Sequence, residues 1–286
     1  MEIKDLTGLE KPLTKLIEVV AQGIGIVYTD TIGVNAEVRR REKIADVEQH
    51  IQLMRIDTDI EVANRMKQRI VVQELRRQQN IDQTVQEASS FLPEKVSDSK
   101  PDQDWVTNFF NCVQDISSDE IRTLWAKILA GEVAQPGSYS RRTLEVLKNL
   151  SPHEAKTFQS LKGFIFGNYT VFKLGQNSNT LNSFGISYSE WKILHEASLV
   201  SPQEDIRLET PIENTRWFEI GNKKIRFISN KKNLIVLFVK QLTATGTEIS
   251  KLIDVPANEK YLTALQDYYN KQEITVEIQD QDSNLK

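Results

Sequence analysis

Between Asp104 and Leu150 the start signals, apolar periods and stop signals agree with one another, and this agreement restricts the stretch to a packed set of short helices. Ser117-Ser118-Asp119-Glu120 has the form of a capping box, with the Ser117 hydroxyl placed for an orphan N–H and Glu120 reaching back to it. A helix is expected to start there. Ile121, Leu124, Trp125, Ile128 and Leu129 then share one face of a 3.6-residue period, and Gly131 is expected as the C′ residue. Pro136-Gly137-Ser138 forces a turn, after which Ser138 or Ser140 can cap a helix through Leu144, Leu147 and Leu150. Upstream, Trp105, Phe109, Phe110 and Val113 fall on one helical face. Downstream, Ser151-Pro152 supplies N-cap and N1 for a helix that buries Ala155, Phe158 and Leu161. A helical bundle is therefore expected over 104–163, with Trp105 and Trp125 as core anchors.

These residues resemble an uncharacterised bacterial family, the domain-of-unknown-function family 2806. Asp104-Trp105, Phe109-Phe110, Ser118-Asp119-Glu120, LWAKILAGE at 124–132, PGSYSRRTLEVLKNL at 136–150, and Glu154-Ala155 with Phe158 carry the resemblance. Gly8-Leu9, Lys15-Leu16-Ile17-Glu18 and Arg76-Arg77-Gln78-Gln79-Asn80-Ile81 extend it over most of 7–160, beyond which it thins. It implies no activity, because the family has no settled one. The Leu124-Trp125-Ala126-Lys127 stretch is also similar to helical proteins grouped with phage abortive-infection genes, which makes a defence role an expectation by analogy.

Upstream of the bundle, residues 1–33 are expected as an amphipathic segment. Leu13, Leu16, Ile17, Val20, Ile24 and Val27 share a helical face, with Lys15, Glu18 and Gln22 off it. That face needs a cover: the protein's own core, another subunit, a protein partner from the same locus, or a membrane interface. From 34 to 92 the chain is almost free of Gly and Pro and rich in Arg, Glu, Gln and Ile, which predicts one long charged helix or a helical hairpin. Ile44, Val47, Ile51 and Met54 have coiled-coil spacing and are expected as the seam of a homo-oligomer. Asp57, Thr58 and Asp59 interrupt it before a second series through Ile60, Ala63, Ile70 and Ile81, as a turn or as a stutter. Interleaved charges make this surface a solvated one, although Arg39-Arg40-Arg41 suit anionic lipid headgroups. Residues 93–103, polar and holding Pro101, are expected as a linker.

Residues 164–279 read as a smaller α+β module of winged-helix type. Strands are expected near Phe164–Leu174, Trp217–Ile220, Lys224–Ile228, Leu234–Val239 and Ile274–Ile278, with helices at Tyr188–Leu199, from Leu242 through Ile253, and at Tyr261–Tyr269. The Leu-Thr-x-x-Gly turn at Leu242 resembles the exit from a wing into a closing helix. Lys223, Lys224, Arg226, Lys231 and Lys232 would be the nucleic-acid contacts of such a module, and 280–286 is expected as a disordered tail. A net charge of −4 argues against a protein that coats nucleic acid along its whole surface.

The chemistry is sparse. His50, His153 and His195 stand apart with no Cys or carboxylate at ligand spacing, so no metal, and equally no cofactor, is expected. No P-loop, dinucleotide fingerprint or nucleophile elbow is present, and no catalytic residue is assigned. A hidden site would lie around Lys127, Glu132, Ser138, Arg141 and Arg142, where Glu132 is expected to pair with an arginine across the Pro-Gly-Ser turn. The lone Cys112 and the lack of a signal peptide or long apolar run point to the cytoplasm, with peripheral contact at the inner membrane as the variant. The expectation is a mainly α, non-enzymatic, self-associating interaction protein acting through its N-terminal helix. A nucleic-acid-binding regulator and an unrecognised hydrolase are the alternatives.

Overall fold

A computed structural model describes residues 10–24, 60–175, 178–202, 206–211, 216–229, 231 and 233–281. The chain is mainly helical, with two small antiparallel sheets in its C-terminal half, and it divides into compact units at Leu144/Glu145. The expected 104–163 bundle is therefore cut short: its last helix gives Phe158 and Leu161 to the core of the second unit.

The first unit contains α1 (Glu10–Ile24), α2 (Ile60–Ser90), α3 (Gln103–Val113), α4 (Asp119–Ala134) and the start of α5 (Arg141–Asn149). Asp102 opens α3 by accepting the Trp105 N–H at 2.9 Å. Phe109 stacks on Trp105, centroids 5.3 Å apart, and meets Trp125 edge-on at 5.5 Å, which joins α3 to α4 through fully buried rings. The cap of α4 is Ser118, one residue later than the sequence suggested, and the helix runs on through Gly131 to Ala134. Gly131 is not the C′ residue; it leaves room for Tyr139, whose Cε2 would lie 2.7 Å from a Cβ at that position.

From Ile60 to Ser90, α2 is one continuous helix, about 46 Å long at 1.5 Å per residue. Its C-terminal half packs in the unit through Ile81, Val85 and Ala88, followed by Leu92 after the helix. Arg77 Nε donates to Asp115 at 2.8 Å and Asn80 Nδ2 to the Gln114 carbonyl at 2.8 Å, which places the α3–α4 turn level with the middle of α2. Residues 60–76 extend past that level. The supposed seam at Ile44, Val47, Ile51 and Met54, and the turn at Asp57–Asp59, lie outside the described residues. So does Val27.

Up to Asp102 the expected linker is an irregular loop, tied to α1 and α4. Ser97 N–H donates to the Ala134 carbonyl at 2.8 Å, Lys15 Nζ donates to the Ser97 carbonyl at 2.5 Å, and Lys11 pairs with Asp98 at 2.6 Å. The segment is a strap that fastens α1 to the end of α4. Desolvation at this strap lowers the Lys15 ammonium from its ordinary range, against the pull of Asp98.

The second unit holds the end of α5, α6 (Pro152–Lys162), β1 (Thr170–Phe172), a 3₁₀ turn at Ser178–Phe184, α7 (Tyr188–Glu196), β2 (Ile206–Pro211), β3 (Phe218–Ile220), β4 (Lys223–Ile228), β5 (Leu234–Gln241), α8 (Ala244–Ser250), α9 (Glu259–Asn270) and β6 (Thr275–Asp280). Ser151 caps α6 with Pro152 in its first turn, as the sequence indicated, and Glu154 completes a reciprocal capping box. One sheet has the order β1-β5-β2 and the other β3-β4-β6. Ile235, Leu237 and Val239 of β5, Ile225 and Phe227 of β4, and Tyr261, Leu265 and Tyr269 of α9 are buried in one core. The strand β2 is not anticipated by the sequence reading; its alternation is only Ile206, Leu208 against Arg207, Glu209, on an edge closed by Pro211. The last strand runs to Asp280, past the expected start of the tail, and 282–286 lie outside the described residues.

The two buried tyrosines of α9 differ in a testable way. Tyr261 Oη donates to the Phe172 carbonyl at 2.5 Å, whereas the Tyr269 hydroxyl has no partner among the described residues. Burial holds both phenols above their ordinary pKa. Tyr261→Phe is expected to cost about 1 kcal/mol in urea unfolding, while Tyr269→Phe, which keeps the edge contact with Phe227, is expected to be neutral or stabilising. Equal losses in the two variants would contradict the assignment.

Candidate functional site

The residues proposed to form a hidden site come together only in part. Glu132, at 2 % exposure, turns inward from the last turn of α4. Its Oε1 accepts the Gly137 N–H at 2.6 Å and its Oε2 the Tyr139 N–H at 3.1 Å, so the carboxylate holds the Pro136-Gly137-Ser138 turn by its backbone. The expected ion pair across the turn is corrected: Arg141 reaches Asp104 at 3.3 Å, and Arg142 is exposed. The reason is distance along the loop, since the turn's own N–H groups arrive at the carboxylate first. Ser138 Oγ donates to the Gln135 carbonyl at 2.6 Å, and Lys127 Nζ lies 5.6 Å over the Phe91 ring. These are structural ties of a tight turn, with no nucleophile and base in contact.

The basic set on β4 is likewise committed. Antiparallel register places Lys223 opposite Asp280 and Arg226 opposite Glu277. Lys223 Nζ lies 2.9 Å from Asp280 and 3.3 Å from Glu259, and these hydrogen bonds raise its pKa. Arg226 meets Glu277 at 2.8 Å, and Lys231 meets Glu273 at 2.7 Å. Lys224 and Arg226 also flank the Trp217 ring, at 5.2 and 4.8 Å from its centroid. Lys232 lies outside the described residues. Lys223 and Arg226 are thus tied in cross-strand ion pairs, while Lys224 stands opposite Gln279. The β6 carboxylates lie some fifty residues later in the chain, so the local pattern does not display this pairing.

The α1 face, expected to meet a partner or membrane, is largely turned inward within the first unit. Leu16 and Val20 are buried within the first unit, Leu13, Ile17 and Ile24 are half-buried, and Gly23 sits where a Cβ would overlap the Phe110 ring and lie 2.7 Å from Val106. The stripe is turned onto α3 and α4 because the glycine lets the backbones approach. A partner or membrane could reach Leu16 and Val20 only by undocking the helix. Among the described residues no helix is long and apolar enough to cross a membrane, and no group of three or more His, Cys, Asp or Glu could hold a metal.

What remains is the extended half of α2. Ala63, Ile70, Val71 and Leu75 are only half-buried, Met66 is 38 % exposed and Val72 67 %. Ala63, Met66 and Ile70 continue the row that packs lower down as Ile81 and Ala88, while Val71, Val72 and Leu75 lie round the helix from it. Two apolar faces on one charged helix are more than the neighbouring helices of the bundle cover.

A family model described as a protein of unknown function, DUF2806, matches residues 64–266. The match begins inside α2 and continues to α9, so it includes most of the second unit, where the resemblance read from the sequence had thinned. No curated protein and no solved structure matches the chain.

Proposed function

Because the chain belongs to the DUF2806 family, whose description carries no activity, its role has to be read from its own surfaces, and we propose that it is a non-enzymatic interaction protein that self-associates through α2. The observation that carries this reading is Val72, two-thirds exposed beside the half-buried Val71 and Leu75 on a helix whose nearest outward positions, Gln68, Arg69 and Arg76, are charged or amide. Single exposed apolar residues are common; an apolar cluster on a helix that extends beyond its bundle is a contact surface in search of a cover. Burying a valine side chain fully contributes roughly 1.5–3 kcal/mol, so a few such residues repeated by symmetry suffice for a weak dimer.

The second unit is read as the rigid half of the assembly, of winged-helix kind, on the support of the β3–β4 hairpin and the Thr243-capped helix that follows β5. Winged helices also serve protein contacts. A defence setting rests on the analogy of the Leu124–Lys127 stretch alone, and survival of phage-challenged cells with and without the gene tests it. Self-association is tested by Val72→Glu, which is expected to lower the sedimentation mass to that of one chain with unchanged circular dichroism. If the variant keeps the mass of an associated parent, the contact lies elsewhere.

A further inference from the structure

We propose that the outer edge of β2 pairs antiparallel with the same edge of a second copy, about a two-fold axis at Leu208, so that two three-stranded sheets join into one of six. The contact lies in the second unit, on a different surface from α2, and goes beyond the association proposed there.

Among the described residues β2 ends its sheet, in the order β1-β5-β2, so one of its edges has no strand beside it. The register with β5 determines which main-chain groups stand on that edge. Phe238 turns its carbonyl towards β1, where it accepts the Lys173 N–H at 2.7 Å. Main-chain direction alternates along a strand, so Ile235, Leu237 and Val239 turn theirs towards β2 and engage the main chain of Thr210, Leu208 and Ile206. Arg207 and Glu209 are left with N–H and C=O pointing outward. An open edge of this kind is a template for another strand.

The side chains select the strand that fits. Arg207 and Glu209 lie on one face of the sheet, both exposed, with their charged groups 2.5 Å apart. Leu208 lies on the other face beside Leu237; Leu237 is buried at 2 % exposure, whereas Leu208 at the edge is 38 % exposed. Outward-pointing residues pair with outward-pointing residues, so a two-fold contact near the middle of the strand can be centred on 207, 208 or 209. Centring on Arg207 sets arginine against arginine. Centring on Glu209 sets glutamate against glutamate and brings Pro211, which has no N–H, against Arg207. Centring on Leu208 puts Arg207 opposite Glu209 of the second copy, twice by symmetry, with four main-chain hydrogen bonds and each Leu208 covering the other. Charge of one sign is enough to blunt an edge; charges that complement themselves in the hydrogen-bonding register suit a second copy of the same strand.

The contact is small, about five residues a side against roughly 20–30 a side in a stable interface, so separate chains predominate in dilute solution and the pairing is read by trapping. At the axis Leu208 meets its counterpart as a non-hydrogen-bonded pair, Cα atoms about 4.5 Å apart, within reach of a disulfide. Leu208→Cys is therefore expected to close a chain-to-chain disulfide under mild oxidation, with the buried Cys112 left in place. Arg207→Cys, itself exposed and open to chance collision, is expected to close at least about tenfold more slowly, because this register holds its two copies about 9 Å apart. Added to Leu208→Cys, either Arg207→Glu or Glu209→Arg is expected to slow closure roughly tenfold by setting like charges opposite one another twice, and mixing the two variants is expected to restore closure in mixed dimers. Closure is expected to persist in a Val72→Glu background, which separates this contact from one through α2. No disulfide from Leu208→Cys, equal closure from Arg207→Cys, or charge variants that close like their parent would overturn the pairing, and loss of closure with Val72→Glu would reduce it to a by-product of association through α2.

Discussion

Glu132→Ala is expected to destabilise the first unit by roughly 3–5 kcal/mol, the sum of two hydrogen bonds to a charged acceptor. The carboxylate is almost fully buried, and what it holds is backbone: the N–H groups of Gly137 and Tyr139, in a turn where Gly137 has φ 87°. Truncation leaves both donors without their acceptor, and it releases Tyr139 from its place against Gly131. Glu132→Gln keeps one carbonyl oxygen and turns an NH₂ towards a donor, so it is expected to lose about half as much. Chemical denaturation followed through Trp105 and Trp125 fluorescence, with Trp191 and Trp217 replaced by Phe, reports on this unit. A loss below about 1 kcal/mol in the alanine variant would mean that the turn stands without its carboxylate, and the anchoring role would be withdrawn.

Gly246→Ala is expected to cost about 3 kcal/mol or more in the second unit. Gly246 lies in the first turn of α8, where its N–H donates to the Thr243 Oγ1 cap at 2.9 Å. A Cβ there would run into the carbonyl oxygen of Leu199. That carbonyl cannot retreat freely, because it accepts the Thr243 N–H at 3.1 Å while Val200 is bridged to Leu242. The first contact is backbone against backbone, so no rotamer relieves it. Thermal unfolding of Gly246→Ala beside Gly137→Ala separates this from glycine conformation in general: Gly137 has a positive φ but open space around its Cβ position. Comparable losses in the two would contradict steric exclusion as the cause.

Short-range grammar was legible in the sequence. Ser151 with Glu154, Pro152 in the first turn, the buried faces of α3 and α4, and the continuous apolar run of β5 all follow from local signals. The partners that the sequence hides are of two kinds, main-chain donors a few residues away and side chains far along the chain. Glu132 appears from its neighbours to face Arg141 and Arg142, but its acceptors are consumed by main-chain donors that no residue-type pattern displays. The basic run of β4 looks like a nucleic-acid face until the register with β6 supplies Glu277 and Asp280. The α1 stripe looks unpartnered because its partners, Val106 and Phe110, come more than eighty residues later. Gly23, with no side chain to clash with Phe110 and Val106, is what lets the helix dock.

Copies of the chain are proposed to meet through α2. Sedimentation equilibrium of the unmodified chain across a wide concentration range is the most direct test of this. A mass that climbs from 32.8 kDa towards a multiple of it as concentration rises is the predicted result. A constant 32.8 kDa at every concentration would contradict self-association and leave the exposed valine of α2 to a different partner or to none.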